Sequence, residues 1–246
     1  MTKINSLADI VNNGLCIGCG LCKSIAGNNS LKMVMSEKGN LEPKELNPIS
    51  DQTLENIKKV CPGVIVEGPE DQDENKGSNK DIIWGNYFGL YYSWSTDPKI
   101  RFQSSTGGLL NGLSLYLLER NKVDFIMHTA GDKENPMRNI VKYSYNKEDL
   151  LNCESRSRYG PSSPLSEFHE ALDKKQTFAF VGKPCDAGAI RLLAKSDERV
   201  DQYCKYIFTL VCGGFQELTK SQEFIDSFNV KEQELEEFRY RGFGNP

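Results

Sequence analysis

The stretch Cys16-Ile17-Gly18-Cys19-Gly20-Leu21-Cys22 places three cysteines at intervals of three residues. Thiolates this close together can occupy three corners of one iron–sulfur cube. The glycines between them allow backbone amides to turn toward the sulfurs. A distant Cys61-Pro62 pair has the cysteine–proline signature of the fourth ligand. The sequence therefore predicts one 4Fe–4S cluster, held by Cys16, Cys19, Cys22 and Cys61.

Zinc and idle thiols are the alternatives for these cysteines. Structural zinc usually takes its thiolates as separated pairs, whereas three cysteines in one short loop are typical of a cube. In two-cluster ferredoxins a further cysteine follows after three residues and binds the other cluster. Here that position is Ala26, followed by Gly27 rather than proline. This part of the chain is thus expected to hold a single cluster.

Composition narrows the class of protein. The chain has 246 residues, of which 38% are hydrophobic and 26% charged, as in a folded protein. Its net charge of −4 argues against a nucleic-acid partner. No apolar run approaches the roughly 20 residues of a membrane span, and residues 1–6 lack the apolar core of a secretion signal. Eight cysteines without an export signal then favour metal binding or redox chemistry in the cytoplasm over disulfides.

The pattern divides the chain into three parts, giving an α+β protein overall. Residues 1–68 are predicted to form a small ferredoxin-like 4Fe–4S module, whose core is too small to be stable without a metal. It should contain strands at 31–35 and 64–66 and a helix at 51–60. The polar, turn-rich residues 69–81 are predicted to be a linker, and residues 82–246 to be an α/β domain.

The expected α/β domain alternates strands with helices, which predicts a mostly parallel sheet. The last eight residues have turn chemistry with no closing element, which predicts that the domain is truncated at the C-terminus. The predicted strands are 123–129, 140–145, 177–181 and 206–211, and the predicted helices are 107–120, 147–151, 165–174, 187–194 and 219–228. In the first helix the buried stripe is expected to be Leu109, Leu110, Leu113, Leu117 and Leu118.

Ser104-Ser105-Thr106-Gly107-Gly108 leads directly into that leucine-rich helix. Free amides and hydroxyls at a helix start suit an anion such as a cofactor phosphate. The stretch is neither a Walker motif nor the Rossmann glycine pattern. An ordinary serine or threonine N-cap explains it equally well.

The loop from Arg156 to Pro164 is basic and rich in turn residues. Arginines such as Arg158 can grip phosphate, and Tyr159 can stack on a flavin or adenine ring. A solvated loop with no ligand is the alternative.

Cys185 follows Gly182-Lys183-Pro184 at a strand-to-helix turn, and Cys212 ends the next strand. Both lie at carboxyl ends of strands, where α/β sheets carry their sites. The helix start and Lys183 are expected to favour the Cys185 thiolate. Each cysteine is a candidate cluster ligand, redox thiol or buried residue. Spacing assigns no role to the remaining candidates, which are His128, His169, Cys153 and Cys204.

The order of these motifs, ending with Arg239-Tyr240-Arg241-Gly242, resembles the coenzyme F-420 hydrogenase/dehydrogenase beta-subunit family, to which 7-hydroxymethyl chlorophyll a reductase is related. The resemblance implies an FAD-binding α/β domain that passes electrons between iron–sulfur clusters and an organic substrate. It implies flavin contacts by Ser105, Thr106, Gly107, Gly108, Arg158 and Tyr159. It also implies that Cys185 and Cys212 belong to a second 4Fe–4S cluster, incomplete in this chain.

The leading hypothesis is an iron–sulfur flavoprotein oxidoreductase without an assigned catalytic residue. Its expected electron donor or acceptor is ferredoxin or a partner redox subunit. An organic substrate or a deazaflavin coenzyme is expected to react at the flavin, and assembly into an oligomer is compatible with this hypothesis. The alternatives are a non-catalytic iron–sulfur electron-transfer subunit and a zinc-stapled structural protein. Flavin absorbance separates the first two hypotheses, and acid-labile sulfide separates both from the third.

Overall fold

A computed structural model describes residues 4–68, 79–83, 85–152 and 158–241. Its first part surrounds the cysteine loop with short elements. They are α1 (Leu7–Asn12), α2 (Leu21–Ala26), β1 (Leu31–Met35), β2 (Leu41–Glu45) and α3 (Asp51–Lys58). Ser6 caps α1 and Ser50 caps α3 through their side-chain oxygens. β1 and β2 form an antiparallel hairpin.

Two predictions for this part are confirmed and one is wrong. The strand at 31–35 is present, and the helix predicted at 51–60 ends two residues early, at Lys58. The strand predicted at 64–66 is absent. The amides of Val64 and Ile65 both donate to the Cys61 carbonyl oxygen at 2.9 Å. The apolar residues there therefore close a turn around the fourth cysteine.

The second part begins with a hairpin and a helix and continues into the sheet. Its first elements are β3 (Asn79–Asp81), β4 (Gly85–Tyr87), α4 (Pro98–Gln103), a 3-10 turn (Thr106–Gly108) and α5 (Leu109–Glu119). These are followed by β5 (Phe125–Gly131), β6 (Asn139–Ser144), α6 (Lys147–Asn152), α7 (Phe168–Asp173), β7 (Phe178–Gly182), α8 (Pro184–Ala194), α9 (Arg199–Tyr203), β8 (Cys204–Thr209), α10 (Leu218–Asp226) and a last 3-10 turn (Glu232–Glu234).

The central sheet has the strand order β6-β5-β7-β8. β5, β7 and β8 run parallel, and β6 is an antiparallel edge strand. β5 is buried on both faces along most of its length, as strands in covered parallel sheets are. The predicted mixed fold with a mostly parallel sheet is confirmed.

The buried stripe predicted for α5 is wrong in part. Leu117 and Leu118 are buried, but Leu113 is 38% exposed, and Ser114 and Leu115 are buried instead. Leucines follow one another so closely in this helix that the apolar pattern does not define a single face. The side that packs beside Ile126 of β5 decides which of them are covered.

The cysteine-bearing part and the sheet share one hydrophobic core. Cys19, Leu21 and Val60 belong to the same buried cluster as Phe168 of α7 and Phe178 of β7. The division at 68 and 82 stays a prediction, and residues 69–78 of the predicted linker lie outside the described residues. Within the described ranges, no helix has both the length and the apolar character needed to cross a bilayer.

A buried histidine in β5 gives a pH prediction. His128 contacts Ser144 Oγ through Nε2 at 2.8 Å, and burial lowers its pKa to about 4. Because the unfolded chain takes up this proton first, near pH 6.5, folding stability should fall as pH drops from about 6.5 to about 4. Over that window the loss is about 3 kcal/mol. Denaturant unfolding of the wild type and of His128→Gln at pH 7 and pH 5 measures this loss of unfolding free energy. The prediction would be contradicted if both proteins lost the same free energy between the two pH values.

Candidate metal centre and cofactor turn

Cys16, Cys19, Cys22 and Cys61 line one cavity, as the sequence predicts for ligands of a single cluster. Three elements bring them together. The first two cysteines lie in the loop before α2, the third lies in its first turn, and Cys61 follows α3. The rest of the lining is largely apolar, including Leu7, Ile10, Met33, Pro43, Ile57 and Val60.

Glycines shape the loops that carry these cysteines. Gly18 and Gly20 have φ values of +72° and +82°, in the left-handed region that glycine favours. A Cβ on Gly18 would lie 2.8 Å from the Leu41 carbonyl oxygen, and one on Gly63 would collide with the carbonyl oxygen of Leu15. Gly18 and Gly63 therefore occupy positions where a residue with a Cβ would collide with a neighbouring carbonyl oxygen.

The four thiols influence one another electrostatically. Burial is the largest cause that raises the pKa of all four, for Cys22 to about 12. The charge of Cys61 further raises the pKa of Cys16, Cys19 and Cys22. Four thiolates at this place need a compensating positive charge, such as that of bound metal, because a buried unpaired charge is costly.

Backbone amides act in the opposite direction. Hydrogen bonds from the backbone of Gly18 and Leu21 lower the pKa of Cys16 and Cys19, respectively. Gly63 and Val64 do the same for Cys61. Amides that turn toward cysteine sulfurs are one of the ways in which a protein stabilises an iron–sulfur cluster.

The arrangement of the four cysteines differs from a binding site for a single metal ion. Among the described residues, no three side chains of His, Cys, Asp or Glu lie close enough together to hold a single metal ion. The four cysteines instead surround the cavity from its walls.

The cysteine loop is hydrogen-bonded to the segment before α7. Leu165 N donates to the Cys19 carbonyl oxygen at 2.9 Å, and Ser163 Oγ donates to that of Gly18 at 2.8 Å. His169 N donates to Ser24 Oγ at 2.8 Å. The candidate metal centre is therefore fixed directly to the α/β part of the chain.

Cys185 and Cys212 lie near each other at the carboxyl ends of β7 and β8. Burial is the largest cause that raises the pKa of Cys185, and the charges of Asp186 and Cys212 raise it further, whereas Lys183 lowers it. The prediction of a favoured Cys185 thiolate is therefore wrong in this structure, because burial outweighs the lysine. The structure leaves both cysteines as candidate ligands, and Cys153 lies outside the described residues.

The glycine turn before α5 is wound into an unusual conformation. Thr106, Gly107 and Gly108 have φ values of +52°, +65° and +70°, and a positive φ is costly for threonine. A Cβ on Gly108 would lie 3.0 Å from the Ile100 carbonyl oxygen. The Ser105 hydroxyl is buried without a hydrogen-bond partner among the described residues. This is the geometry of a turn that can offer amides and a hydroxyl to an anion.

Arg158 and Tyr159, the other predicted flavin contacts, differ in how extensively their side chains are hydrogen-bonded within the protein. The Arg158 guanidinium donates to Asn139 Oδ1 at 2.7 Å and to the carbonyl oxygens of Pro136, Arg138 and Phe238. It thus ties the loop after β5 to the C-terminal segment. The Tyr159 side chain is partly exposed, and its hydroxyl accepts from Arg241 Nη1 at 3.1 Å.

Sequence reasoning gave no site role to the residues that join the glycine turn to the Tyr159 loop. Arg239 Nη2 donates to the Gln103 carbonyl oxygen at 2.9 Å, next to the glycine turn. Tyr240 packs edge-on against Tyr159, with ring centroids 5.4 Å apart. The segment 239–241 therefore links the turn before α5 to the Tyr159 loop. Its Arg-Tyr-Arg sequence was the available signal, but it has no fixed spacing to either place.

Comparisons with known families agree with the fold. The family model described as coenzyme F420 hydrogenase/dehydrogenase, beta subunit N-term, matches residues 90–169. A second model, which describes the C-terminal part of the same beta subunit, matches residues 175–245. Together these matches cover more than half of the chain.

Two proteins that are similar to this chain are named as redox proteins. It is 26% identical over 188 residues to a coenzyme F420-dependent sulfite reductase of Methanocaldococcus jannaschii, covering 76% of this chain and 26% of that protein. The chain therefore spans about a quarter of that relative. A chain of the F420-reducing [NiFe] hydrogenase complex from Methanosarcina barkeri is similar in fold, with a TM-score of 0.50, 22% identity and coverage of 60% of this chain and 52% of that one.

Proposed function

The chain belongs to the coenzyme F420 hydrogenase/dehydrogenase beta-subunit family, and on that premise we propose that it is an iron–sulfur flavoprotein oxidoreductase. In this proposal Cys16, Cys19, Cys22 and Cys61 hold one 4Fe–4S cluster. The observation that carries it is that these four cysteines line one cavity. Backbone amides directed at their sulfurs add support.

FAD is the second proposed cofactor, held at the turn before α5. Thr106 and Gly107 would present amides to its phosphates, and the unpartnered Ser105 hydroxyl would donate to them. Gly108, whose amide donates to the Ser105 carbonyl oxygen, would let the backbone turn at the phosphates. Tyr159 would lie against a ring of the cofactor. A bound flavin supplies the exchange between one-electron and two-electron transfer. The protein's contribution is to orient the flavin beside the segment 239–241, whose arginines add positive charge.

Electron entry is proposed at the cysteine loop, from ferredoxin or a partner redox subunit. The contact of Cys19 with Leu165 joins that loop to the segment that begins at Tyr159. An organic substrate or a deazaflavin coenzyme would exchange two electrons at the flavin. The names of both relatives contain coenzyme F420, which supports a coenzyme of that kind. Cys185 and Cys212 would supply two ligands of a second cluster, a set that is incomplete by itself.

Anaerobic purification followed by iron, sulfide and flavin quantitation tests the proposal. About four irons and four sulfides per chain are expected, as one 4Fe–4S cluster requires, together with bound FAD. Zinc without acid-labile sulfide would contradict the cluster. Iron and sulfide without FAD, even after incubation with excess FAD, would contradict the flavoprotein.

A substitution in the turn tests the proposed flavin contact separately. Gly108→Ala should weaken FAD binding about tenfold, since a left-handed alanine costs about 1–2 kcal/mol and its Cβ presses on the Ile100 carbonyl. Gly85→Ala is the control, because Gly85 also has a positive φ but no atom lies within 4 Å of its Cβ. FAD titration by fluorescence measures both. Equal affinities for FAD would place the flavin elsewhere, while unchanged iron content shows that the cluster part is intact.

An electron-transfer subunit without flavin is the second candidate function. It is favoured by Arg158, whose guanidinium donates to Asn139 Oδ1 and to three carbonyl oxygens among the described residues. A chain that holds the cluster, exchanges electrons with ferredoxin and never binds FAD would establish it.

A further inference from the structure

Asp186 is a fully buried carboxylate in the first turn of α8. Its Oδ2 accepts from Lys183 Nζ at 2.9 Å and from the Lys183 amide at 3.0 Å. Its Oδ1 is buried and has no hydrogen-bond partner among the described residues. Only half of this carboxylate is therefore satisfied by the protein.

The position of Asp186 relates it to two cysteine sites. Asp186, Ala189 and Ile190 are buried and spaced three and four residues apart, so they share one face of α8. Cys185, the candidate ligand of the second site, directly precedes Asp186. Cys19 lies in the same buried cluster as Ala189 and Ile190 of α8. The helix that carries Asp186 thus packs with the first site and begins at the second.

Stability does not explain such a group. A buried carboxylate is costly unless it is paired and hydrogen-bonded, and an apolar pair of similar size often replaces a buried ion pair without loss. Asp186 keeps one bare oxygen in a region where charges are poorly screened by water. Its field at the nearby cysteines is what an apolar residue would not supply.

We propose that the charge of Asp186 lowers the reduction potential of the cluster at Cys16, Cys19, Cys22 and Cys61. This inference rests on the proposed function, since it requires the cluster there. Reduction adds one electron to the cluster, with no bond made or broken. A buried anion on the face of α8 that packs with Cys19 disfavours that added negative charge, and net charge is one of the quantities that set cluster potentials. A lower potential favours onward transfer of the electron to an acceptor in the α/β part.

The test is a potentiometric titration of the whole cluster-loaded chain, followed by electron paramagnetic resonance. Asp186→Asn should move the cluster's midpoint potential to a more positive value, and Asp186→Glu should restore it toward wild type. Asp226→Asn, on the exposed side of α10, removes a carboxylate elsewhere and should leave the potential unchanged. A purely structural role for Asp186 would change stability or cluster content but not the potential.

A second variant covers the case in which Asp186→Asn loads no cluster because Lys183 is left buried and unpaired. The double substitution Lys183→Met with Asp186→Leu removes both charges and should also shift the potential upward, because the carboxylate acts on Cys19. An unchanged potential in a cluster-loaded variant would overturn the inference while leaving the cluster standing. A wild-type chain without iron and sulfide would overturn the proposed function and this inference together.

Discussion

Replacing Cys61 with serine is expected to abolish stable cluster binding. Cys61 is the proposed remote ligand and lines the same cavity as Cys16, Cys19 and Cys22, and a serine hydroxyl is a poor substitute for a thiolate toward iron. The loss should exceed the roughly 10–100-fold that follows from removing an outer hydrogen-bond partner of a metal ligand. Iron and acid-labile sulfide per chain after anaerobic reconstitution, with the visible spectrum, measure it.

Cys204 supplies the matched control for that experiment. It is also a buried cysteine, and burial raises its pKa to about 12, but it lies at the start of β8 outside the cavity. Cys204→Ser should retain iron and sulfide. If both serine variants bind the same amount of cluster, Cys61 is not a ligand, and the four-cysteine assignment fails.

The sheet was predictable because its strands are continuous apolar runs. The strand predicted at 177–181 is shifted by only one residue from β7, since Phe178, Ala179 and Phe180 are fully buried and leave little choice of face. Short helices such as α2 and α9 have five or six residues and no strong periodic pattern, so tertiary contacts decide them. The strand predicted at 64–66 was wrong for the same reason, because an apolar run of three residues is compatible with a strand or a turn.

The candidate site was predictable where spacing along the chain carries the chemistry. Three cysteines at fixed intervals and a Cys-Pro pair indicate candidate ligands, and the fold brings these residues to one cavity. Asp186 and the segment 239–241 carry no such spacing, since the packing of α8 with Cys19 and the contacts of 239–241 with Gln103 and Tyr159 join residues far apart in sequence. Arg158 was singled out by its residue type and by the family resemblance, and its donors turn out to bond protein carbonyls. Residue type thus indicates what a side chain can bind, but not what it faces.

Replacing Gly20 with alanine is expected to separate the cysteine loop from the α/β part of the chain. Gly20 has a φ of +82°, and a Cβ there would lie 2.8 Å from the Ser166 Cβ and 3.0 Å from the Ser163 Cβ. The left-handed alanine costs about 1–2 kcal/mol and the overpacking about 1–3 kcal/mol. The free energy of unfolding, measured with denaturant, should therefore fall by about 2–5 kcal/mol.

The variant Gly14→Ala separates the cost of the left-handed backbone from the cost of overpacking. Gly14 has a φ of +69°, but no atom lies within 4 Å of its Cβ, so Gly14→Ala should lose only about 1–2 kcal/mol. Hydrogen exchange at the Leu165 amide, which donates to the Cys19 carbonyl, reports on the contact itself. Gly20→Ala should accelerate that exchange and Gly14→Ala should not. Equal exchange in both variants would mean that the contact survives the added methyl group, and that the cysteine loop is held to the α/β part by its buried core rather than by the close approach at Gly20.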